Sequence, residues 1–296
     1  MIFYGENGGG KFPLQKAVSV EIEREIGVPA DSMTVKFVGE AIPELWKVTA
    51  EHEGQTIFSG IVDEQTMTMY PDRAETTVYT RSPAALVLDS EAQQGEYIDP
   101  NIDVMYRVHL APFGITLKES AENLRMGQLS IPRSCSHYGA LRRFCEYFLG
   151  TEPRINSLGE FMPNVLSSGD IIKIDKSQCL KISKRIKRYG ILSGVYVTSG
   201  GKTMLIENES AKARGIVRCK RIDLADSATG TLSDADNAIN DSMDAATEVR
   251  VRCSGYCDDI IGRRALFDGE LYRVSRIYTV YTPREQYTDI VMKSTD

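Results

Sequence analysis

The chain has 296 residues, a formal net charge of −6, a pI near 5.3 and 42% hydrophobic residues. That length suits about two ordinary domains, and the mild acidity gives no global attraction for nucleic acid or anionic membrane. Six scattered cysteines from Cys135 to Cys257 form no disulfide framework, no apolar leader opens the chain, and "YGILSGVYV" is far too short to span a bilayer, so a protein of a reducing compartment is expected.

Residues 5–11 read "GENGGGK", the first seven positions of a phosphate-binding loop. The eighth position should supply a hydroxyl for magnesium, yet it is Phe12, and Pro13 follows where a helix should start. The stretch is expected to be a glycine turn leading into a strand near Phe12. "KAVSVEIERE" alternates, with Val18, Val20 and Ile22 on one side and Ser19, Glu21 and Glu23 on the other; "DSMTVKFVGE" repeats this with Met33, Val35 and Phe37. A hairpin turning at Glu53-Gly54 and a strand in "AETTVYTRS" complete the set, which suggests a sandwich or small barrel.

Further on, "SPAALVLDSEA" predicts a short helix with Ser82 as cap and Pro83 first in the helix. "CSHYGALRRFCEYFLG" predicts a helix capped by Ser136, burying Leu141, Phe144, Cys145 and Phe148 and stopped by Gly150. Two short extended pieces flank a turn at Ser157-Leu158-Gly159. From Asp170 alternation returns in "DIIKIDKSQCLKI", in "LSGVYVTSGGKTMLIENES" with its Gly-Gly hairpin, and in "GIVRCKRIDL". "SDADNAINDSMDAATE" predicts a helix capped by Ser233 with Asp236 in the capping-box position, and the remainder is strand after strand.

The chemistry-bearing residues form no catalytic constellation. Cys135, His137 and Cys145 fall short of four metal ligands, and Cys145 lies on the apolar face of its helix. Cys253 and Cys257 could hold a disulfide or half a metal site, but no second pair accompanies them. His52, His109 and His137 are the three histidines, and no G-x-S-x-G nucleophile motif occurs. The acidic run "DADNAINDSMD" has Ala238 and Ile239 where a calcium loop needs a ligand and a glycine. The basic run "KISKRIKRYG" sets Lys181, Lys184, Arg185, Lys187 and Arg188 within eight residues. Without interleaved aromatics, in an acidic chain, it points to a protein contact rather than to nucleic acid.

The succession "IFSGIVDEQ", "YTRSPAALVLDSEA", "ALRRFCEYFLGTEPRINSLGEF" and "LYRVSRIYTVYTPREQYTDIVM" resembles the baseplate hub proteins of contractile phage tails, of the Mu-type and Bacillus prophage-type. The residues that carry it are Phe58, Gly60, Val62, Arg81, Ser82, Leu86, Asp89, Ser90, Leu141, Phe144, Pro153, Ile155, Gly159, Tyr272, Arg273, Val274 and Thr288. The resemblance implies a mainly β chain with an α+β insertion. Two tube-like β-barrels are expected at residues 1–84 and 171–296, the second with a small peripheral part, around a mixed domain at 85–170. It implies a homotrimeric ring adapting a six-fold tail tube to a three-fold spike, in the baseplate of a particle assembled in the bacterial host cytoplasm. Its partners would be the tube protein, the central spike and other baseplate proteins, with no membrane contact, stable nucleic-acid binding, metal, cofactor or catalytic residue. A tail-associated cell-wall hydrolase and a carbohydrate-binding β module are the competing functions, the latter opposed by the single tryptophan, Trp46.

Overall fold

The alternation of the first eighty residues forms strands β1 (Ile2–Asn7), β2 (Gly10–Pro13), β3 (Ala17–Glu25), β4 (Ser32–Gly39), β5 (Lys47–His52), β6 (Gln55–Met69) and β7 (Ala74–Arg81). The structure, a computed structural model, describes residues 1–166, 171–224, 232–244 and 246–294. The chain divides into two units: residues 1–168, 253–262 and 276–289, and residues 169–252, 263–275 and 290–296.

In the first unit the strands run antiparallel in the hydrogen-bonded order β3-β4-β7-β6-β5-β1-β2. The apolar row of each strand faces one core, where Ile22, Met33, Val35, Phe37, Val48, Phe58 and Val78 are fully buried. Burying each such side chain contributes roughly 1.5–3 kcal/mol before entropy is counted. Val18 leaves its expected row because a bulge between Ala17 and Ser19 shifts the register, so Val20, Ile22 and Arg24 share the interior face. "GENGGGK" is the β1–β2 hairpin, with Gly10 at φ 103°. The β5–β6 turn has both Glu53 (φ 50°) and Gly54 (φ 78°) left-handed, as a two-residue primed turn requires.

Strand β6 outlasts β5. Their pairing ends at Ile61, while β6 continues against β7 to Met69. The free edge is met by loop residues: Leu45 donates its N–H to Gln65 Oε1 at 2.9 Å, and Gln65 Nε2 donates to the carbonyls of Ile42 and Pro43 at 3.2 and 3.0 Å.

The middle of the chain adds α1 (Ala84–Asp89), β8 (Gly95–Ile98), α2 (Ile102–His109), β9 (Thr116–Leu117), β10 (Gln128–Ile131), α3 (His137–Phe144), β11 (Arg154–Ile155) and β12 (Glu160–Met162). Ser136 caps α3 as expected, its Oγ accepting the Gly139 N–H at 3.0 Å. The helix then widens into a π-turn, Cys145–Leu149, closed by Gly150 at φ 63°. The Ser82 cap does not form: Pro83 is itself helical at φ −55° and takes the cap position with no side-chain acceptor, leaving the buried Ser82 Oγ without a partner. Helix α2 was not predicted; Asn101 caps it by accepting the Val104 N–H. Its Met105 joins Leu141, Phe144, Cys145, Phe148 and Phe161 in a second core.

The second unit contains β13 (Ile172–Lys173), β14 (Cys179–Ile186), β15 (Gly194–Ser199), β16 (Lys202–Glu207), α4 (Glu209–Ala213), β17 (Cys219–Asp223) and α5 (Ser233–Asp244). Beyond them come β18 (Thr247–Ser254), β19 (Arg264–Phe267), β20 (Glu270–Tyr281) and β21 (Gln286–Ser294), three of which the division between units cuts. The Gly200-Gly201 turn joins β15 to β16, and β17 returns parallel to β15 through α4. The run expected as one strand from Asp170 breaks at a 3₁₀ turn, Lys176–Gln178, where Asp175 Oδ1 accepts the Ser177 N–H at 2.8 Å. Helix α5 buries Ala235 against Val195 and Val197; the cap expected from the Ser233 side chain lies outside the described residues. The later half of β20 belongs to the first unit and pairs with β3, from Arg276↔Glu25 to Tyr281↔Val20.

Candidate functional site

Strand β14 ends its sheet in hydrogen-bonded order, and every residue from Leu180 to Ile186 is exposed. Strand alternation puts Leu180, Ile182, Lys184 and Ile186 on one face, and Lys181, Ser183 and Arg185 on the other. Leu180 and Ile186 are each 65% exposed and Ile182 is 42% exposed, an unusual concentration of apolar surface on one strand.

The five cations predicted as a contact cluster divide into two groups. Lys184 Nζ bonds Glu270 Oε2 at 3.1 Å, and this contact raises the lysine's pKa. Lys187 Nζ lies 3.4 Å from Glu248, and Arg188 donates to the Arg214 carbonyl at 2.6 Å. Lys181 and Arg185 have no ion-pair partner among the described residues. Three of the cations thus have partners among the described residues, and Lys181 and Arg185 are exposed.

A second charged assembly was missed from sequence. Arg154, 4% exposed, bridges two carboxylates of the first unit: its Nη2 donates to Asp31 at 3.0 and 3.1 Å, and its Nη1 to Asp259 at 2.8 Å. Arg24 Nε donates to Ser157 Oγ at 2.9 Å, and Ser157 donates to Asp31 Oδ2 at 2.6 Å. Arg24 Nη2 reaches the Ile57 carbonyl at 3.1 Å. Burial pushes the Asp31 carboxyl above its ordinary pKa against the pull of Arg154. Burial acts likewise on Asp259, but Arg154 and Arg24 outweigh it and hold that carboxyl below. Two guanidiniums and two carboxylates neutralise one another here, which describes a structural lock rather than a reactive centre. The sign in the sequence was Arg24, which continues the row of Val20 and Ile22.

The other predicted residues take ordinary places. His52 ends β5 against the Tyr256 ring, with centroids 5.1 Å apart. His109 is buried, bonded to Tyr97 and His137. None of the six cysteines is in a disulfide, and burial pushes the Cys145 thiol far up. Among the described residues no group of three or more His, Cys, Asp or Glu is arranged to hold a metal ion, and no helix is long and apolar enough to cross a membrane.

These strands and helices make up the fold of phage tail proteins over nearly the whole chain. It is similar to a 43 kDa tail protein of prophage MuSo2 from Shewanella oneidensis, with a TM-score of 0.80 at 12% identity, covering 99% of this chain and 97% of that one. A tail protein from Neisseria meningitidis MC58 aligns with a TM-score of 0.75 at 13% identity, covering 99% and 96%. An E. coli component of the type VI secretion system, itself structurally similar to T4 tail proteins gp27 and gp5, aligns with a TM-score of 0.60 at 8% identity over 94% and 73%. No protein-family model matches the sequence, and no curated protein does.

Proposed function

We propose that this chain is the structural baseplate hub of a contractile tail, a trimeric ring that adapts a six-fold tail tube to a three-fold spike. The observation that carries the proposal is the whole-chain likeness to the MuSo2 tail protein, which takes in almost all of both chains. Residues 1–84 and 171–296 each supply a tube-like barrel in this reading, so three copies present six pseudo-equivalent positions. Heterologous contacts that close at three-fold rotation build the ring. The work is done by complementary surfaces, with tube, spike and baseplate proteins as partners, in a particle assembled in the host cytoplasm. Lys181, Lys184, Arg185, Lys187 and Arg188 belong to one such surface.

The test is native mass spectrometry of the chain alone and with tube and spike proteins. A trimer is expected. A monomer that persists with both partners present refutes the hub assignment, and cell-wall lysis by the pure protein refutes the non-enzymatic reading.

A further inference from the structure

Free strand edges meet two fates in this chain. Where β6 loses β5, the loop of Ile42, Pro43 and Leu45 is held beside it by Gln65. Strand β14 has no such cover: it ends its sheet, and among the described residues β18 is its one paired neighbour. The residues from Leu180 to Ile186 are all exposed. They form a backbone edge roughly 23 Å long, whose outward N–H and C=O groups have no strand to bond.

The two faces of the strand differ in chemistry. Leu180, Ile182 and Ile186 project to one face, beside Lys184, which Glu270 holds. Lys181, Ser183 and Arg185 project to the other, and neither cation has an ion-pair partner among the described residues. Cations alone would act as guards that keep stray strands off an edge. Three exposed aliphatics on the opposite face are what a guarded edge omits, and what an added strand would cover.

We propose that β14 receives an extended segment of another protein by strand addition. Acidic side chains of that segment lie opposite Lys181 and Arg185 on one face, and apolar ones lie opposite Leu180, Ile182 and Ile186 on the other. Backbone hydrogen bonds give such an addition its hold, and alternating side chains give it its choice of partner. A second β14 is the wrong occupant: antiparallel pairing over the whole of Leu180–Ile186 centres on Ser183 and sets Lys181 opposite Arg185 at both ends. The other strands of five or more residues that end a described sheet are β16 and β17. They carry Lys202, and Lys220 with Arg221, against one acid each, Glu207 and Asp223. The surrounding sequence has the same sign, since residues 171–224 hold thirteen lysines and arginines against four acids. The strand that answers β14 is therefore that of an acidic partner. This inference rests on the reading of Lys181 to Arg188 as a contact surface, and specifies how that surface is used.

The probe is a synthetic heptapeptide, Val-Glu-Val-Thr-Val-Glu-Val, blocked at both ends. Its glutamates fall opposite Lys181 and Arg185 when it pairs along Leu180–Ile186. A lysine-for-glutamate counterpart and a fully N-methylated copy are the comparisons, and titration and hydrogen exchange are followed on the full chain. Binding is expected to slow exchange within Leu180–Ile186, and to weaken at least about tenfold in K181E/R185E. It should also weaken with salt, and K181E/R185E should instead prefer the lysine peptide. Thermal melts check folding, and K181Q/R185Q provides a milder variant for the same readout. An acidic peptide bound no better than its lysine counterpart overturns the proposal. So does an N-methylated peptide that binds equally well, since the contact would then be a side-chain patch without strand addition. Slow exchange at Leu180–Ile186 in a trimer of the chain alone assigns the edge to a second copy and overturns it too. Tight duplex-DNA binding that K181E/R185E abolishes has the same consequence. A trimer indifferent to the acidic peptide overturns this inference while the hub reading stands. A chain that takes the peptide yet stays monomeric with tube and spike present supports the inference and overturns the hub reading.

Discussion

The Nδ1 atoms of His109 and His137 lie 3.0 Å apart, so one proton sits between two imidazoles. Tyr97 Oη stands 3.2 Å from His109 Nε2. Both contacts are satisfied when Tyr97 donates to His109, and His109 donates through Nδ1 to a neutral His137. A second proton would set two N–H groups against each other. Burial, reinforced by His137, lowers the pKa of His109 to about 4. Burial also lowers that of His137, against a backbone contact at Glu91.

Because the folded pKa of His109 lies below its unfolded value of about 6.5, the unfolded chain takes up the proton first as the pH falls. Stability contributed by the neutral pair is complete above pH ~6.5, and is expected to drain away as pH falls towards about 4. Denaturant melts between pH 7.5 and 4.5 measure this, and H109Q should flatten the slope. An unchanged slope in H109Q would mean that other groups set it.

Arg154 is the common partner of Asp31 and Asp259. Arg154→Met should cost about 3–5 kcal/mol, because it leaves the buried Asp31 carboxylate and the part-exposed Asp259 with Arg24 as their remaining guanidinium. Arg154→Lys should rescue little, since a single ammonium cannot fork between two acids. Asp31→Asn should be milder, because burial already favours the neutral form of that group. Equal losses for Arg154→Met and Asp31→Asn in urea titrations would contradict this account.

Gly262 and Gly200 both have left-handed backbones, at φ 81° and 55°. A Cβ on Gly262 would lie 2.0 Å from the Val165 carbonyl oxygen, whereas nothing approaches Gly200 within 4 Å. Gly262→Ala should therefore cost more than about 3 kcal/mol, and Gly200→Ala about 1 kcal/mol. Comparable melting temperatures for the two variants would argue against the close approach at Gly262.

The Lys11 ammonium sits 4.4 Å from the Tyr4 ring centroid, engaged within its own hairpin. Isothermal titration with ATP or GTP should give no binding heat, and Lys11→Ala should cost no more than about 0.5–1 kcal/mol. Micromolar nucleotide affinity that vanishes in Lys11→Ala would restore the phosphate-loop reading.

Much of this fold was legible because period-two alternation and positive-φ glycines are local signals. Met33, Val35 and Phe37 had nowhere to go but a core, and Gly54, Gly150 and Gly201 marked their turns. What escaped depended on partners distant in sequence. Arg24 looks solvated until Asp31, Ser157 and Asp259 are brought around it by three separate segments. Helix α2 left only the Asn101 cap and the spacing of Ile102, Met105 and His109 as signals, and its aromatic and β-branched content disguised them. The basic run was visible as a cluster, but Glu248 and Glu270, which divide it, are more than sixty residues away.

Where β5 no longer pairs with β6, the side-chain amide of Gln65 ties the loop of Ile42, Pro43 and Leu45 to the strand through that loop's own backbone groups. A bare ribbon edge is an invitation to stray strands from other nascent chains. With the loop held beside it by a single side chain, that invitation is weakened. A chain made at high local concentration thus has one less route to a tangled by-product.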